Sequence, residues 1–464
     1  MRDILVLSDD VVGRKMAGPG IRAWEMAKTL SRRFRVALAV PDFSPDGPES
    51  GFFRNAPFEV VFYSLASPSS VLNPAAESRI IVLQGYVLSK FPGIKKLERP
   101  IIADIYDPFV LENLFVHQTK ISNLADRKAA HLRDLRVFND LIHCADHFLC
   151  ACSRQRDLIT GSLMTLGRIN PGVLDTGPDL DDLISVVPFG LSKETSAGSG
   201  EEEVRARFPQ IKDGDILLLW GGVLSNWFDP VSLLRALKKA LVFNPRLKLL
   251  FLSTKHPNPL LPEFDMVKTA LAEAKALGLK DDAVIFNDDW VEYDQRGAFF
   301  RRADIGVSVH MSHIETRYAF RTRMLDYLKY RLPVVCTEGD YFAELVKNEG
   351  LGLTAGPGDV SGLADAILAL SENSGFREEI RKKMDAVADR FVWERVIEPL
   401  VRYCRGVLDG RIAPARFPDR KEIMIACSGI DHAEGRERIR RFLRPLDRRL
   451  PLKLSARIKR LVKF

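Results

Sequence analysis

The sequence has no apolar run that approaches the roughly 20 residues needed to span a bilayer. Its first ten residues, MRDILVLSDD, predict a short strand cut by two aspartates rather than a secretory signal, which needs a longer apolar segment. Only 6 cysteines are scattered over 464 residues, so we expect free thiols and no disulfide framework. These absences favour a globular protein of the reducing cytoplasm.

Positive and negative charges are nearly balanced over most of the chain. The formal net charge is +7, but residues 436–463 hold 12 Lys or Arg against 2 acids, which is +10. The remainder therefore carries about −3, and the basic character belongs to the tail. Because the body is not basic and has no interleaved stacking motif, the sequence predicts no nucleic-acid partner.

Short apolar runs alternate with helical patterns along most of the chain. Such alternation is typical of parallel sheets covered by helices on both faces, and a chain of this length predicts two or three domains. The predicted strands are 4–8, 36–40, 60–65, 79–85, 100–107, 147–152, 216–222, 247–253, 283–288, 305–310 and 333–339. The polar, Gly/Ser-rich stretch 192–203 interrupts the series and predicts a linker.

The fold class is therefore α/β, with two doubly wound Rossmann-like domains. We assign residues 1–192 to the first domain, 193–203 to the linker and 204–388 to the second domain. A helix at 389–410 and a basic extension at 411–464 follow. Sheets of this kind bind ligands beyond their carboxyl edges, so the two domains are expected to face one central cleft.

Two segments in the first half carry candidate ligand groups. AGPGIR follows the first strand, and Gly18, Gly20 and Arg22 there could expose backbone and a helix start to an anion or a sugar. A tight turn would explain the same glycines. ADIYDP places Asp107 at the carboxyl end of a strand, where it is either a functional carboxylate or a helix cap.

The second half contains a glycine pair and an arginine cluster. Gly221-Gly222 follows a strand and permits close backbone approach to a ligand. Arg321 and Arg323 stand at the start of a predicted helix, where cations oppose the helix dipole at a cost of up to about 1 kcal/mol. A bound phosphate would remove that conflict, and Asp326 could accept hydrogen bonds from a ribose. The alternative is a solvated Arg–Asp pair.

Six segments together resemble GT-B glycosyltransferases of the family 4 type (glycosyl transferases group 1). They are GPGIRAWEMAKTL, DIYDP, ADHFLCACSRQRD, VPFGL, WGG and FRTRMLDYLKYRLPVV, and they span residues 1 to about 405. The resemblance implies a cation for the donor diphosphate at Arg323, a ribose carboxylate at Asp326 and a base-binding backbone near Val291. It also implies that the helix at 389–410 crosses back to the first domain.

The chain departs from the family pattern at several positions. The family carries two glutamates eight positions apart, whereas here the second is Asp326 and Tyr318 stands eight before it. Glu315 is the nearest acid and could replace the first glutamate. The basic pair that usually follows the second domain's first strand is also missing, and we expect Arg321 and Arg323 to supply that charge.

The resemblance implies a hexosyltransferase-type enzyme that moves a sugar from a nucleotide-diphosphate sugar to an acceptor hydroxyl, with retention and without a metal or cofactor. Asp107, Glu315 and Arg321 are then the catalytic candidates. Acidic runs at 179–182 and 287–289 are expected to be turns rather than metal sites. A non-catalytic GT-B-like partner of a glycan assembly complex and a nucleotide-sugar epimerase are the alternatives.

The tail composition suggests where the acceptor is found. Basic and apolar residues interleave over 436–464, which is typical of a helix lying on an anionic membrane surface. Packing on the body or on another subunit would also account for it. With the resemblance, this favours a glycan, glycolipid or protein acceptor in bacterial surface glycan synthesis, at the inner face of the plasma membrane.

Overall fold

The computed structural model describes residues 1–193, 201–261 and 263–414. Its framework is two β-sheets. The first sheet contains β1 (Arg2–Leu7), β2 (Val36–Pro41), β3 (Glu59–Tyr63), β4 (Ser78–Gln84), β5 (Ile101–Asp104), β6 (His147–Cys150) and β7 (Ile184–Val186). The second contains β8 (Ile216–Trp220), β9 (Leu247–Phe251), β10 (Val284–Phe286), β11 (Ile305–Ser308), β12 (Val334–Thr337) and β13 (Gly352–Ala355). Every strand pairing in these sheets is parallel.

Helices connect the strands and cover the sheets. The first domain contains α1 (Gly18–Leu30), α2 (Gly51–Arg54), α3 (Ser69–Ala76), α4 (Val87–Lys90), α5 (Phe109–Lys120), α6 (Leu124–Cys144), α7 (Ser153–Thr165) and α8 (Pro171–Thr176). The second contains α9 (Glu201–Arg207), α10 (Pro230–Ala240), α11 (Asp265–Ala276), α12 (Gly297–Arg302), α13 (Ile314–Tyr318), α14 (Arg323–Lys329), α15 (Tyr341–Glu349), α16 (Val360–Glu372) and α17 (Ser374–Ala388). They are followed by α18 (Trp393–Val396) and α19 (Glu398–Leu408), and 3₁₀ turns occur at Pro92–Lys96 and Asp389–Phe391.

Both sheets are doubly wound, which confirms the predicted α/β class with two Rossmann-like domains. The strand order is β3-β2-β1-β4-β5-β6-β7 in the first sheet and β10-β9-β8-β11-β12-β13 in the second. The order reverses between β1 and β4 and between β8 and β11. Loops leaving neighbouring strands at such a reversal diverge and open a crevice. Each sheet therefore has a crevice at the carboxyl ends of its central strands.

The apolar patterns of the strands explain the core. β2 and most of β1 are buried along their length, as expected for strands with helices on both faces. All the strands expected from the sequence form, whereas β7 and β13 were not predicted as strands. β13 is short and mostly half-buried, so it has no continuous apolar run.

The end of the described chain returns from the second domain to the first. Trp393 and Leu400 are buried in the core that α1 shares with the first sheet. Leu191 and Val392 form a parallel bridge, and a Cβ at Gly190 would lie 2.5 Å from the Trp393 ring. The two crossings between the domains therefore run side by side in close contact.

Two predictions concern residues that the structure covers only in part. The predicted linker at 193–203 includes 194–200, which lie outside the described residues, and α9 begins within its last positions. The basic extension also lies outside from residue 415 onward, so the membrane contact expected of it stays a prediction. No helix within the described ranges is long and apolar enough to cross a membrane.

Candidate active site

A cavity of about 670 Å³ lies between the domains, at the carboxyl ends of the central strands, and we call it the cleft. Its position is the one where doubly wound sheets bind ligands. The candidate residues that line it are Gly18, Asp107, Gly221, Gly222, Val291, Arg321, Arg323 and Asp326. The candidates that do not line it are Gly20, Arg22 and Glu315.

Arg323 lies in the wall of the cleft with part of its hydrogen-bonding capacity unused. Its guanidinium carbon is 4.4 Å from the ring centroid of Trp220 and 4.1 Å from that of Phe228. Nη2 donates to the Val223 carbonyl over 3.1 Å, whereas the buried Nη1 has no hydrogen-bond partner among the described residues. Burial lowers the pKa of Arg323 to about 10, so the group is still charged at neutral pH. A held cation with a free donor suits an anionic ligand.

Arg321, in contrast, is already paired. Its Nη2 donates to the Glu315 carboxylate over 2.6 Å, and Nε lies 3.8 Å from the Asp340 carboxylate. Glu315 is 0% exposed, so it supports Arg321 from behind and does not reach the cleft. The sequence led us to expect free charge from both arginines. The Glu315 carboxylate compensates the charge of Arg321, so the uncompensated positive charge is that of Arg323.

The glycine pair after β8 brings bare backbone to Arg323. Gly222 has φ +115°, a conformation that L side chains rarely adopt, and its missing Cβ would lie 3.9 Å from Arg323 Nη2. A Cβ at Gly221 would lie 2.9 Å from the Phe300 ring. The backbone N–H of Gly221 donates to the Tyr327 hydroxyl over 3.0 Å. The loop is therefore fixed, and no side chain separates its backbone from the arginine.

Asp326 is held by a residue that the sequence did not single out. Its carboxylate forms an ion pair with Arg296, which lies 30 positions earlier in the chain and also lines the cleft. No Arg323–Asp326 ion pair occurs among the described residues, although the two are three positions apart. Val291 lines the cleft as well. Arg296 could not be found from spacing, because the pair depends on how α12 packs beside α14.

The AGPG loop divides into a residue at the cleft and a residue needed for packing. A Cβ at Gly18 would lie 3.6 Å from Thr322 Oγ1, so this loop meets the segment that precedes α14. A Cβ at Gly20 would lie 2.1 Å from the Val11 carbonyl oxygen. Gly20 is therefore explained by close packing, while Gly18 is still a candidate for contact with a ligand.

Arg22 lies beneath the cleft and is fully buried. Its Nε and Nη2 each donate to the Asp104 carboxylate over 2.7 Å, and Nη2 also donates to the Val187 carbonyl over 2.9 Å. Its guanidinium carbon lies 4.8 Å from the ring centroid of Phe189, which lines the cleft. Arg22 thus supports the cleft wall. The sequence placed it in a loop that contacts an acceptor or a diphosphate, and its complete burial does not fit that role.

Two carboxyl groups of the first domain line the cleft without an ion pair to a described residue. Burial and the nearby Asp104 raise the pKa of Asp107 to about 7. Burial, followed by Asp107 and Glu315, raises the pKa of Glu112 well above its usual range. Sequence reasoning missed Glu112, although an acid in the first turn after an Asp-Pro at a strand end was a usable signal.

The charge state of Asp107 can be tested through stability. Because its pKa is raised from 3.8 to about 7, the folded protein holds a proton that the unfolded chain loses between about pH 4 and 7. Ionisation therefore costs stability as the pH rises through this window. The asparagine in Asp107→Asn cannot ionise. The melting temperature of this variant minus that of the wild type should therefore rise from pH 4 to pH 8. The exposed Asp157→Asn is the control. An Asp107→Asn difference that stays constant across the window would contradict the raised pKa.

The comparisons with solved structures define the class of fold. Sucrose-phosphate synthase from Thermosynechococcus elongatus matches with 14% identity and a TM-score of 0.62, over 88% of this chain and 100% of that chain. Anabaena Alr3699/HepE in complex with UDP-glucose matches with 17% identity and a TM-score of 0.63, over 88% and 100%. WaaG, a glycosyltransferase involved in lipopolysaccharide biosynthesis, matches with 14% identity and a TM-score of 0.59, again over 88% and 100%. The chain therefore has the GT-B fold.

The family comparison locates the sequence signal in the second domain. Residues 216–373 match the model of the family described as glycosyl transferases group 1. A search of curated proteins finds no significant match. The resemblance to GT-B glycosyltransferases inferred from the motifs is thus confirmed, and the finer assignment to family 4 stays a prediction.

Proposed function

We propose that this protein is a glycosyltransferase that moves a sugar from a nucleotide-diphosphate sugar to an acceptor hydroxyl. The observation that carries the proposal is Arg323, a buried cation in the wall of the cleft with an N–H that no described residue accepts. The group 1 family match and the UDP-glucose bound in the HepE structure support the same reading. An isolated buried cation is a cost to folding, which a diphosphate would offset on binding.

The donor is assigned to the second-domain side of the cleft. Its diphosphate would contact Arg323, the backbone at Gly221-Gly222 and the outer edge of Arg321. Asp326, oriented by Arg296, would accept hydrogen bonds from the ribose, and the backbone at Val291 would meet the base. In this arrangement Glu315 is a positioning residue, because it acts only through Arg321.

The transfer exchanges one bond at the anomeric carbon for another. The bond from that carbon to the diphosphate oxygen breaks, and the acceptor oxygen bonds to the same carbon on the face that the diphosphate leaves, which retains the configuration. The acceptor proton passes to the Asp107 carboxylate, whose pKa of about 7 suits a proton acceptor near neutral pH. Negative charge gathers on the departing diphosphate, where fixed arginine donors stabilise it without a metal.

The proposed cellular role is the synthesis of a bacterial surface glycan or glycolipid. The acceptor would then be presented at the inner face of the plasma membrane, and residues 436–464 would hold the protein there. This part of the proposal rests on the composition of the tail and on the lipopolysaccharide role named for WaaG. A flotation assay with anionic vesicles, with and without residues 436–464, would test it.

A thermal-shift screen with UDP, GDP, ADP and dTDP tests the donor site directly. A ligand that binds only the folded protein at 100 times its Kd adds about 2.7 kcal/mol of stability. We expect one nucleoside diphosphate to raise the melting temperature of the wild type and to lose that effect in Arg323→Ala. The control is Arg317→Ala, which removes an exposed arginine six positions away.

The screen also separates the proposal from its rival. A nucleotide that stabilises the Arg323→Ala variant as strongly as the wild type would remove the arginine from the donor site. No stabilisation by any nucleotide at millimolar concentration, together with no donor hydrolysis, would contradict the enzyme and favour the non-catalytic partner. An epimerised donor without transfer would indicate an epimerase.

A further inference from the structure

Lysine and arginine side chains line the cleft from the second domain, which also contributes Asp294 and Asp326, but not from the first. The cationic side chains of Lys and Arg that line it, Arg296, Arg321, Arg323 and Lys329, all belong to the second domain. The charged residues that line it from the first domain are both acidic, Asp107 and Glu112. A diphosphate is directed to the second domain by this distribution. The first-domain side is therefore left for the acceptor, and it offers the carboxyls of Asp107 and Glu112.

No cation neutralises the two first-domain carboxyls among the described residues. Arg22 is nearby, but both of its contacts with carboxylate oxygens go to Asp104. The positive charge of Arg321 partly offsets the rise in the pKa of Glu112, but the ion pair of Arg321 is with Glu315. The buried Arg321 Nε, in a cleft-lining side chain, has no hydrogen-bond partner in the described part of the chain. Unused acceptors on one side and an unused donor on the other leave room for a polar ligand between them.

Helix α5 carries Glu112, which lines the cleft, and contacts the second domain. Phe115 of this helix stacks on His313 of the second domain, with ring centroids 3.7 Å apart. Further along, Thr119 accepts a hydrogen bond from Asn226 over 3.0 Å. The last residue of the helix, Lys120, pairs with Asp265 over 2.8 Å. α5 is thus tied to the second domain at three points, which fixes the backbone that carries Glu112.

We propose that the acceptor is an uncharged or amino sugar unit that places hydroxyl or amine groups against Asp107 and Glu112, and that it carries no phosphate or carboxylate at that end. This inference rests on the proposed transferase function. A hydroxyl or ammonium donates hydrogen bonds to a carboxylate, which has only acceptors to offer when ionised. An anion in the same space would oppose ionisation of both carboxyls and would find no lysine or arginine of the first domain to pair with. The two residues thus determine specificity by repulsion as well as attraction.

The test compares matched acceptors with the donor identified by the nucleotide screen. Glucose, glucosamine and glucose 6-phosphate form one set, and the corresponding galactose and mannose compounds form two more. We expect at least one unphosphorylated or amino sugar to be glycosylated, with kcat/KM at least about tenfold above its phosphorylated counterpart, since unpaired buried polar groups give discrimination of this size or more.

The variants Glu112→Gln and Asp107→Asn show whether these residues set the preference. Glu112→Gln should reduce that ratio about tenfold, mainly through KM, because the amide cannot ionise and offers N–H donors to an anion while it keeps the shape of the side chain. Asp107→Asn should reduce the ratio too and should also lower kcat. The exposed Asp157→Asn should leave both kinetic constants unchanged.

Three results would overturn the inference. One is a phosphorylated sugar that is used as well as its unphosphorylated counterpart. Another is a ratio that neither carboxyl variant changes. The third is donor hydrolysis with no transfer to any unphosphorylated sugar in the panel. All three leave nucleotide binding and donor turnover intact, whereas loss of those would defeat the proposed function itself.

Discussion

Arg323→Met is expected to lower kcat/KM for the donor by about 100- to 1,000-fold, the range found when one preorganised donor to developing charge is removed. Methionine can still pack between the Trp220 and Phe228 rings, but it presents no charge and no N–H to a diphosphate. The free energy of unfolding without ligand should change by less than about 1 kcal/mol, because the lost guanidinium is a buried cation with no ion pair to a described residue. Steady-state kinetics and urea unfolding together check both expectations.

Arg323→Lys is the informative companion. A lysine keeps the charge but not the planar fork, so it cannot easily bind the Val223 carbonyl and a phosphate oxygen in the same way. We expect its activity to lie between those of the wild type and Arg323→Met, whereas the exposed Arg317→Met should match the wild type. If Arg323→Met retained more than about a tenth of the wild-type kcat/KM, the diphosphate charge would have to be met elsewhere.

Asp104→Asn is expected to destabilise the protein by about 3–5 kcal/mol, because it leaves the buried Arg22 charge without its carboxylate. Both residues are buried, with side chains 0% exposed, and the pair is bidentate with two contacts of 2.7 Å. Gln84 also donates to Asp104 over 3.0 Å. Urea unfolding should show a lower midpoint with an unchanged slope if compactness is kept.

An exposed ion pair provides the matched control. Glu49 and Arg54 lie 3.1 Å apart with side chains 89% and 66% exposed, so Glu49→Gln should cost less than about 1 kcal/mol. A cost for Asp104→Asn as small as that of the control would mean that water reaches the Arg22 guanidinium in the folded protein. It would also remove the argument that Arg22 supports the cleft wall from below.

Much of the architecture could be predicted because its signals are local. A fully buried parallel strand needs a run of apolar residues, and such runs marked every strand except β7 and β13. The turn at Gly222 was equally predictable from the sequence, because its φ of +115° is a conformation that other residues avoid. The same locality placed Arg321 and Arg323 at the start of a helix.

The partners of the charged residues could not be predicted in this way. Arg296 and Asp326 are 30 positions apart, and Asp104 finds Arg22 across 82 positions. Which of Arg321 and Arg323 is paired depends on the burial of Glu315, which local sequence does not encode. Glu112 illustrates the intermediate case, because its place in a helix was predictable but its approach to the second domain was not.

The sequence by itself determined the two parallel sheets, the loops at their carboxyl edges and the residue types available there, because backbone hydrogen bonding and apolar burial act over a few neighbouring positions. Only the tertiary structure decided that Arg323 lines the cleft without an ion pair to a described residue, and that Asp107 and Glu112 line the same cleft from the first domain. The physical reason is that a charge is neutralised by whichever group packing brings within a few ångströms, and packing joins residues that are far apart in the chain.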